Sequence, residues 1–219
     1  MNIDIYNRLR ERIIYLTYEP GTILKEQELA KEFGVSRTPL RTVLSRLEWE
    51  HLVKILPRTG ILVMELELNT ITNVFQARLE LEAVIGTMAA QRFTKPHFNR
   101  LDELILGCDS QFDHKDPRSL ADLDMGIKQL FYEAAGNPFL IEMSDRLYSL
   151  TFRLWYFTMM KMHNTEWNIE VMSIKEDLLS LSELLKSNDS QKVGQTRKDH
   201  LLKHLKRIRS RFLGLSDVY

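Results

Sequence analysis

A single cysteine, Cys108, stands in 219 residues, so neither a disulfide framework nor a cysteine-based zinc cluster can be built. No apolar run reaches the eighteen or so residues of a membrane span. The opening stretch MNIDIYNRLRERI lacks the hydrophobic segment of a signal peptide. The expectation is a cytoplasmic protein without membrane contact. There is no net charge either: lysine plus arginine and aspartate plus glutamate number 30 each. Any affinity for nucleic acid must therefore come from a local patch. Glycine (9) and proline (6) are scarce, which limits turns and suits a mostly helical chain with short links. P-loop, nucleophile-elbow and HExxH motifs are missing too, so no enzyme is expected.

What the chain does have is a globular balance, 44% hydrophobic and 27% charged, enough for one large domain or two smaller ones. Ile5, Leu9, Ile13, Ile14 and Leu16 form a helical stripe that stops at Glu19-Pro20-Gly21. A short helix over Glu26 to Phe33 follows and ends at Gly34. Ser36 suits the N-cap of a third helix, with Pro39 in its first turns and Leu40, Val43, Leu44 and Leu47 inward. Leu52 to Leu56 and Ile61 to Met64 then read as a hairpin closed by Pro57-Arg58-Thr59-Gly60. Three helices and a hairpin give a winged helix-turn-helix, with a domain over residues 1–68.

Arg37, Thr38 and Arg41 lie at the start of the third helix, away from its apolar face. An exposed first turn with two arginines can enter a major groove, where guanidinium pairs with guanine edges and phosphates. Ser36, Pro39 and Arg46 belong to the same surface. Arg58, Thr59 and Gly60 at the hairpin tip are placed for phosphate or minor-groove contact. The stretch PGTILKEQELAKEFGVSRTPLRTVLSRLEWEHLV resembles the DNA-binding domain of GntR-type bacterial transcription regulators, VSRTPLR most specifically. That resemblance implies DNA contacts at Arg37, Thr38, Arg41 and Gly60, with Gln27 as a further contact. His51 departs from it, since glycine is usual there; so do Thr42-Val43, where Glu-Ala is common.

Residues 69–219 read as six or seven helices in an antiparallel bundle, roughly 70–93, 96–112, 118–135, 138–161, 166–187 and 190–212. Their boundaries are Thr94-Lys95-Pro96, Asp116-Pro117, Gly136-Asn137-Pro138, Asn164-Thr165 and Ser187-Asn188-Asp189. LWYFTMMKM at 154–162 reads as core or dimer surface, and the basic segment with Lys203, Lys206, Arg207, Arg209 and Arg211 as a solvated helix end. Four polar residues fall on or beside apolar stripes: Arg78, Asp124, Lys128 and His200. Buried charge is costly unless it is paired or holds a ligand. Helical spacing leaves two readings open: the four satisfy one another, or they line a pocket.

RLELEAVIGTMAA, DLDMGIKQLFYEAAGNPFL and DHLLKHL resemble the effector-binding bundle of the FadR-type branch of that family, the FCD class. In that class the cavity often holds a divalent metal on an Asp and three His. By the resemblance Asp124 matches the first ligand and His200 the last, while Lys128 and Leu178 occupy the other two positions. His163 and His204 match none. An ammonium has no lone pair to offer and leucine is no ligand, so no tightly bound metal or other cofactor is expected. Arg78 matches a family arginine facing the cavity, and Lys128 can supply the charge a metal would give. The function implied is a transcription regulator, a repressor by expectation. It would bind a near-palindromic operator on double-stranded DNA as a homodimer and answer to a small anionic metabolite such as an organic acid. Effector binding would then shift the two DNA heads relative to one another. The alternative is a metabolite-binding or enzymatic bundle that carries a vestigial head.

Overall fold

The computed structural model describes residues 2–187 and 189–214. The chain divides into two compact units. One holds the residues up to Thr72 together with Tyr148–Leu154, and the other holds Asn73–Leu147 and the chain from Trp155 onward.

In the first unit, α1 spans Ile3–Ile14, and the Asn2 side chain accepts from the Ile5 amide at 3.3 Å. Its stripe of Ile5, Leu9, Ile13 and Ile14 is buried. The helices α2 (Glu26–Glu32) and α3 (Arg37–Trp49) follow, with Gly34 between them in the left-handed conformation that closes a helix. Leu40, Val43, Leu44 and Leu47 face inward from α3. They join Leu9, Ile13, Leu29, Leu52, Ile61 and Val63 in one core. Ser36 has the extended backbone of an N-cap, but its side chain makes no capping bond.

The wing has three strands rather than two: β1 (Ile23–Leu24), β2 (Val53–Leu56) and β3 (Gly60–Val63), in the order β1-β3-β2. Antiparallel pairing sets Ile23 opposite Leu62 and Val53 opposite Val63. β1 escaped the sequence reading because two residues carry no measurable alternation. Gly60 is fixed by this sheet. Its φ is +145°, and a Cβ there would lie 2.5 Å from the Leu24 carbonyl oxygen. His51, the departure from the family pattern, sits at φ 60°, where glycine would be unstrained.

In the second unit and the segments leading into it run α4 (Leu68–Ala90), α5 (Lys95–Asp113), α6 (Pro117–Ala135), α7 (Pro138–Met159), α8 (Asn164–Lys186) and α9 (Ser190–Phe212). Their starts follow from capping chemistry. Asp116 accepts from the Arg118 amide at 2.9 Å and Asn137 from the Leu140 amide at 3.1 Å, each with proline at the first helical position. The His163 amide donates to Glu166 at 2.8 Å to start α8. The turn expected at Ser187-Asn188-Asp189 includes Asn188, which lies outside the described residues. α8 begins at Asn164, within the expected boundary and two residues before the expected helical range of 166–187.

Cross-helix partners run in opposite senses, so the packing is antiparallel. Gly107 and Gly126 of α5 and α6 approach Leu123 and Leu104, and Glu170 and Asp177 of α8 meet Arg207 and His200 of α9. α4 and α9 approach closely at two glycines. A Cβ on Gly194 would stand 2.4 Å from the Ala83 carbonyl oxygen, and one on Gly86 would stand 3.0 Å from the Gly194 Cα. From the 154–162 stretch Leu154, Trp155, Tyr156, Met159 and Met162 are buried, while Met160 is exposed.

Candidate DNA-reading surface and bundle site

α3 presents Ser36, Arg37, Thr38 and Arg41 to solvent, because burial of Leu40, Val43 and Leu44 turns the opposite face outward. Pro39 is partly covered, and Gln27 on α2 is exposed. Arg58 and Thr59 are exposed at the wing tip, Arg58 at φ 64°. Lys25, just before α2, donates to the Thr59 carbonyl at 2.8 Å and so ties that tip to the start of α2.

Two arginines have partners that the sequence reading missed. The Arg41 Nε donates to Glu26 Oε1 at 2.8 Å and its Nη2 to Oε2 at 3.3 Å. Arg46 donates through Nε to Glu50 at 2.9 Å and stacks on Trp49, 4.5 Å from the ring centre. Glu50 is buried and also accepts from Tyr6 at 2.7 Å and from Arg10 at 3.3 Å. Arg46 thus ties the far end of α3 to this buried carboxylate. Burial and the Glu50 bond push the Tyr6 hydroxyl up to about 12.

In the bundle, Arg78, Lys128 and His200 each meet a carboxylate outside the set of four. Arg78 on α4 lies 3.5 Å from Glu82, one turn on. Glu82 also receives Arg197 of α9 at 2.5 Å and the Tyr132 hydroxyl of α6 at 2.8 Å. Burial raises the Glu82 carboxyl, but Arg197 and Arg78 together outweigh it and hold the group below its usual range. Tyr132, buried beside that carboxylate, is pushed far up. Arg197 lies over the Phe131 ring at 3.9 Å. Lys128 pairs with Asp145 of α7 and sits 5.6 Å from the Tyr132 ring centre. Lys128 and Arg78 thus belong to one polar chain that runs through Tyr132 and Glu82. Asp124 is half-buried one turn before Lys128.

His200 instead meets Asp177 of α8, Nε2 to Oδ1 at 3.1 Å. Burial, with Lys203 and Arg197 nearby, lowers the imidazole to about 4. Burial raises Asp177 to about 6. Two atoms on neighbouring turns of α9, Arg197 Nε and His200 Nδ1, are buried with no hydrogen-bond partner among the described residues.

A second buried carboxylate, Glu170, takes His204 at 3.2 Å, Arg207 at 3.1 Å, Arg211 at 2.5 Å and the Trp155 indole at 3.1 Å. The basic end of the chain is therefore only partly solvated: Arg207 and Arg211 turn inward, while Lys203, Lys206 and Arg209 stay exposed.

These donors do not fit the divalent metal that the FCD resemblance implies. Lys128 is committed to Asp145, Leu178 is buried, and its neighbour Asp177 is the residue that faces His200. Among the described residues no group of three His, Cys, Asp or Glu side chains converges on a metal position. A groove of about 650 Å3 opens along α8, lined by Phe112, Asn164, Asn168, Ile169, Met172 and Ser173 among others. None of Arg78, Asp124, Lys128 or His200 lines it.

Residues 3–63 match the family model described as bacterial regulatory proteins, gntR family, and residues 73–203 match the FCD domain. The HTH-type transcriptional repressor GlaR of Escherichia coli is 23% identical over 97% of this chain and 98% of its own length. RspR, an HTH-type transcriptional repressor of the same organism, is 27% identical over 62% of this chain, and the match spans 59% of RspR. With the regulator YdhC of Bacillus subtilis the identity is 35%, over 36% of each chain. Among solved structures, Escherichia coli McbR/YncC superposes with a TM-score of 0.83 at 19% identity, covering 96% of this chain and 97% of that one, a likeness of fold. With one model on the winged head and the other on most of the bundle, the chain belongs to the gntR family of bacterial regulatory proteins and carries an FCD domain.

Proposed function

We propose that this protein is a DNA-binding transcription regulator whose bundle receives a small anionic metabolite. The observation that carries the reading is the exposed first turn of α3, with Arg37, Thr38 and Arg41 beside a three-stranded wing. Such a turn fits a major groove, and one recognition helix reads too few bases to specify a site, which calls for a homodimer on a near-palindromic operator. Repression is the mode carried in the names of RspR and GlaR and is the one proposed here.

The effector site proposed comprises Arg78, Lys128, Asp124 and His200, to which Arg197 is added. Guanidinium and ammonium suit a carboxylate or phosphate without a metal. The two unpartnered buried atoms on α9 support a ligand there: Arg197 Nε can donate to an oxygen, and His200 Nδ1 can bond a ligand hydroxyl. A ligand that favours one arrangement of the dimer over another would shift DNA affinity by that difference.

Selection of duplexes from a random library followed by band shifts tests the first part. A wild type that enriches no sequence would favour a bundle with a vestigial head. A thermal-shift screen of organic acids on wild type, Lys128→Ala and Arg197→Ala tests the second. An acid that stabilises wild type and neither variant supports the site. The site fails when every acid leaves wild type unmoved or moves all three alike.

A further inference from the structure

We propose that Glu26 is a positioning residue that turns Arg41 toward guanine and away from phosphate; this rests on the reading of α3 as the base-contacting helix. A guanidinium carries five N–H groups in a planar fork. Glu26 occupies the edge formed by Nε and Nη2, at 2.8 and 3.3 Å. The other edge, one hydrogen each from Nη1 and Nη2, has no partner among the described residues. Those two parallel N–H groups match the O6 and N7 acceptors of guanine in the major groove.

Stability gives no reason for the pair. The Arg41 side chain is 66% exposed and Glu26 is 26% exposed, and exposed ion pairs contribute little. Its consequence is electrostatic. A carboxylate beside the guanidinium cancels most of the charge that would attract a phosphate, and it repels the phosphate itself. A guanine edge presents dipoles, not charge, so it loses far less. The bidentate bond also holds the planar group in one orientation, which lowers the ordering cost on binding. Arg37 and Arg58 differ: both are exposed, and among the described residues neither has a carboxylate partner. They are left to bind phosphate or base on their own terms. The surface thus divides its arginines into one held for reading and two free to anchor.

The test uses the full chain as wild type, Glu26→Gln and Arg41→Ala. Duplexes with a random centre are selected, and each protein is titrated on the selected sequence, on single-base variants and on an unrelated duplex between 50 and 200 mM salt. Arg41→Ala is expected to lose about ten-fold or more of its discrimination at one G·C pair per half-site. Glu26→Gln is expected to lose discrimination at the same pair and to bind the unrelated duplex more tightly. Its log–log salt slope should steepen by about one per added phosphate contact, with the melting temperature unchanged. If Arg41→Ala loses the guanine while Glu26→Gln keeps wild-type selectivity and slope, Glu26 has no such role. If Arg41→Ala discriminates like wild type, or wild type selects nothing, the reading of α3 fails and the proposal goes with it.

Discussion

Replacing Glu170 with glutamine should cost this protein more stability than any other single carboxylate change in the bundle. The side chain is fully buried, and three cationic or protonatable groups of α9 converge on it, with Arg211 itself only 6% exposed. Burial alone would raise the carboxyl, but His204, Arg207 and Arg211 reverse that and hold it well below 4.5. The amide keeps the shape and removes the charge, leaving guanidinium groups buried without their counter-ion. Breaking one side of a buried pair costs roughly 3–5 kcal/mol. For a chain of this size each kcal/mol is about 2–4 °C, so a loss of around 10 °C in melting temperature at pH 7 follows. The pH dependence gives a second readout. A carboxyl depressed by folding contributes stability that is present above its unfolded value and lost as pH falls through the folded one. The wild type should therefore lose stability progressively below pH 4.5, and Glu170→Gln should show a flatter acid limb. Pairing the change with Arg211→Met should recover part of the loss, since apolar replacement of a whole buried pair is often neutral. A Glu170→Gln protein that melts within about 2 °C of wild type, with the same acid limb, would refute the reasoning.

Three further outcomes follow from the same coordinates. His51→Gly should raise stability by about 1 kcal/mol, because φ 60° strains a side chain that glycine lacks; a lower denaturation midpoint in urea would count against it. Gly194→Ala should destabilise by about 1–3 kcal/mol despite better helix propensity, since the added methyl meets a backbone oxygen of α4 at 2.4 Å; calorimetry showing a stabilised variant would contradict the close packing. Asp177, raised by burial from 3.8 to about 6, costs stability that grows as pH rises through that window, so Asp177→Asn should gain up to about 3 kcal/mol above pH 6 and nothing below pH 4; an advantage independent of pH would exclude the desolvation cause.

Much of the winged head was readable because its determinants are local. Leu40, Val43, Leu44 and Leu47 recur at helical spacing, and Gly34 stops one helix just before the next begins. The six bundle helices were readable for the same reason: Asp116-Pro117 and Asn137-Pro138 are start signals that act within three residues. The first strand was not, since Ile23 and Leu24 become a strand only through the partners that β3 brings.

The bundle site marks the limit more sharply. Arg78, Lys128 and His200 were found because each interrupts an apolar stripe, yet their partners Glu82, Asp145 and Asp177 were not. Glu82 reads as an ordinary neighbour one turn from Arg78 until Arg197, 115 residues away, closes on its other oxygen. One sequence fixes the face of a helix but not the register in which two faces meet. Even so, two signals were present. Glu170 lies between the buried Trp167 and Val171, and a carboxylate at such a position demands cationic partners from another element. His204, Arg207 and Arg211 stand three and four residues apart, so they share one face of the last helix and could have been recognised as those partners. Taken together, the charges of the basic run suggest a solvated helix end. Sorting them separates Lys203, Lys206 and Arg209, which face water, from the groups that hold α9 against α8.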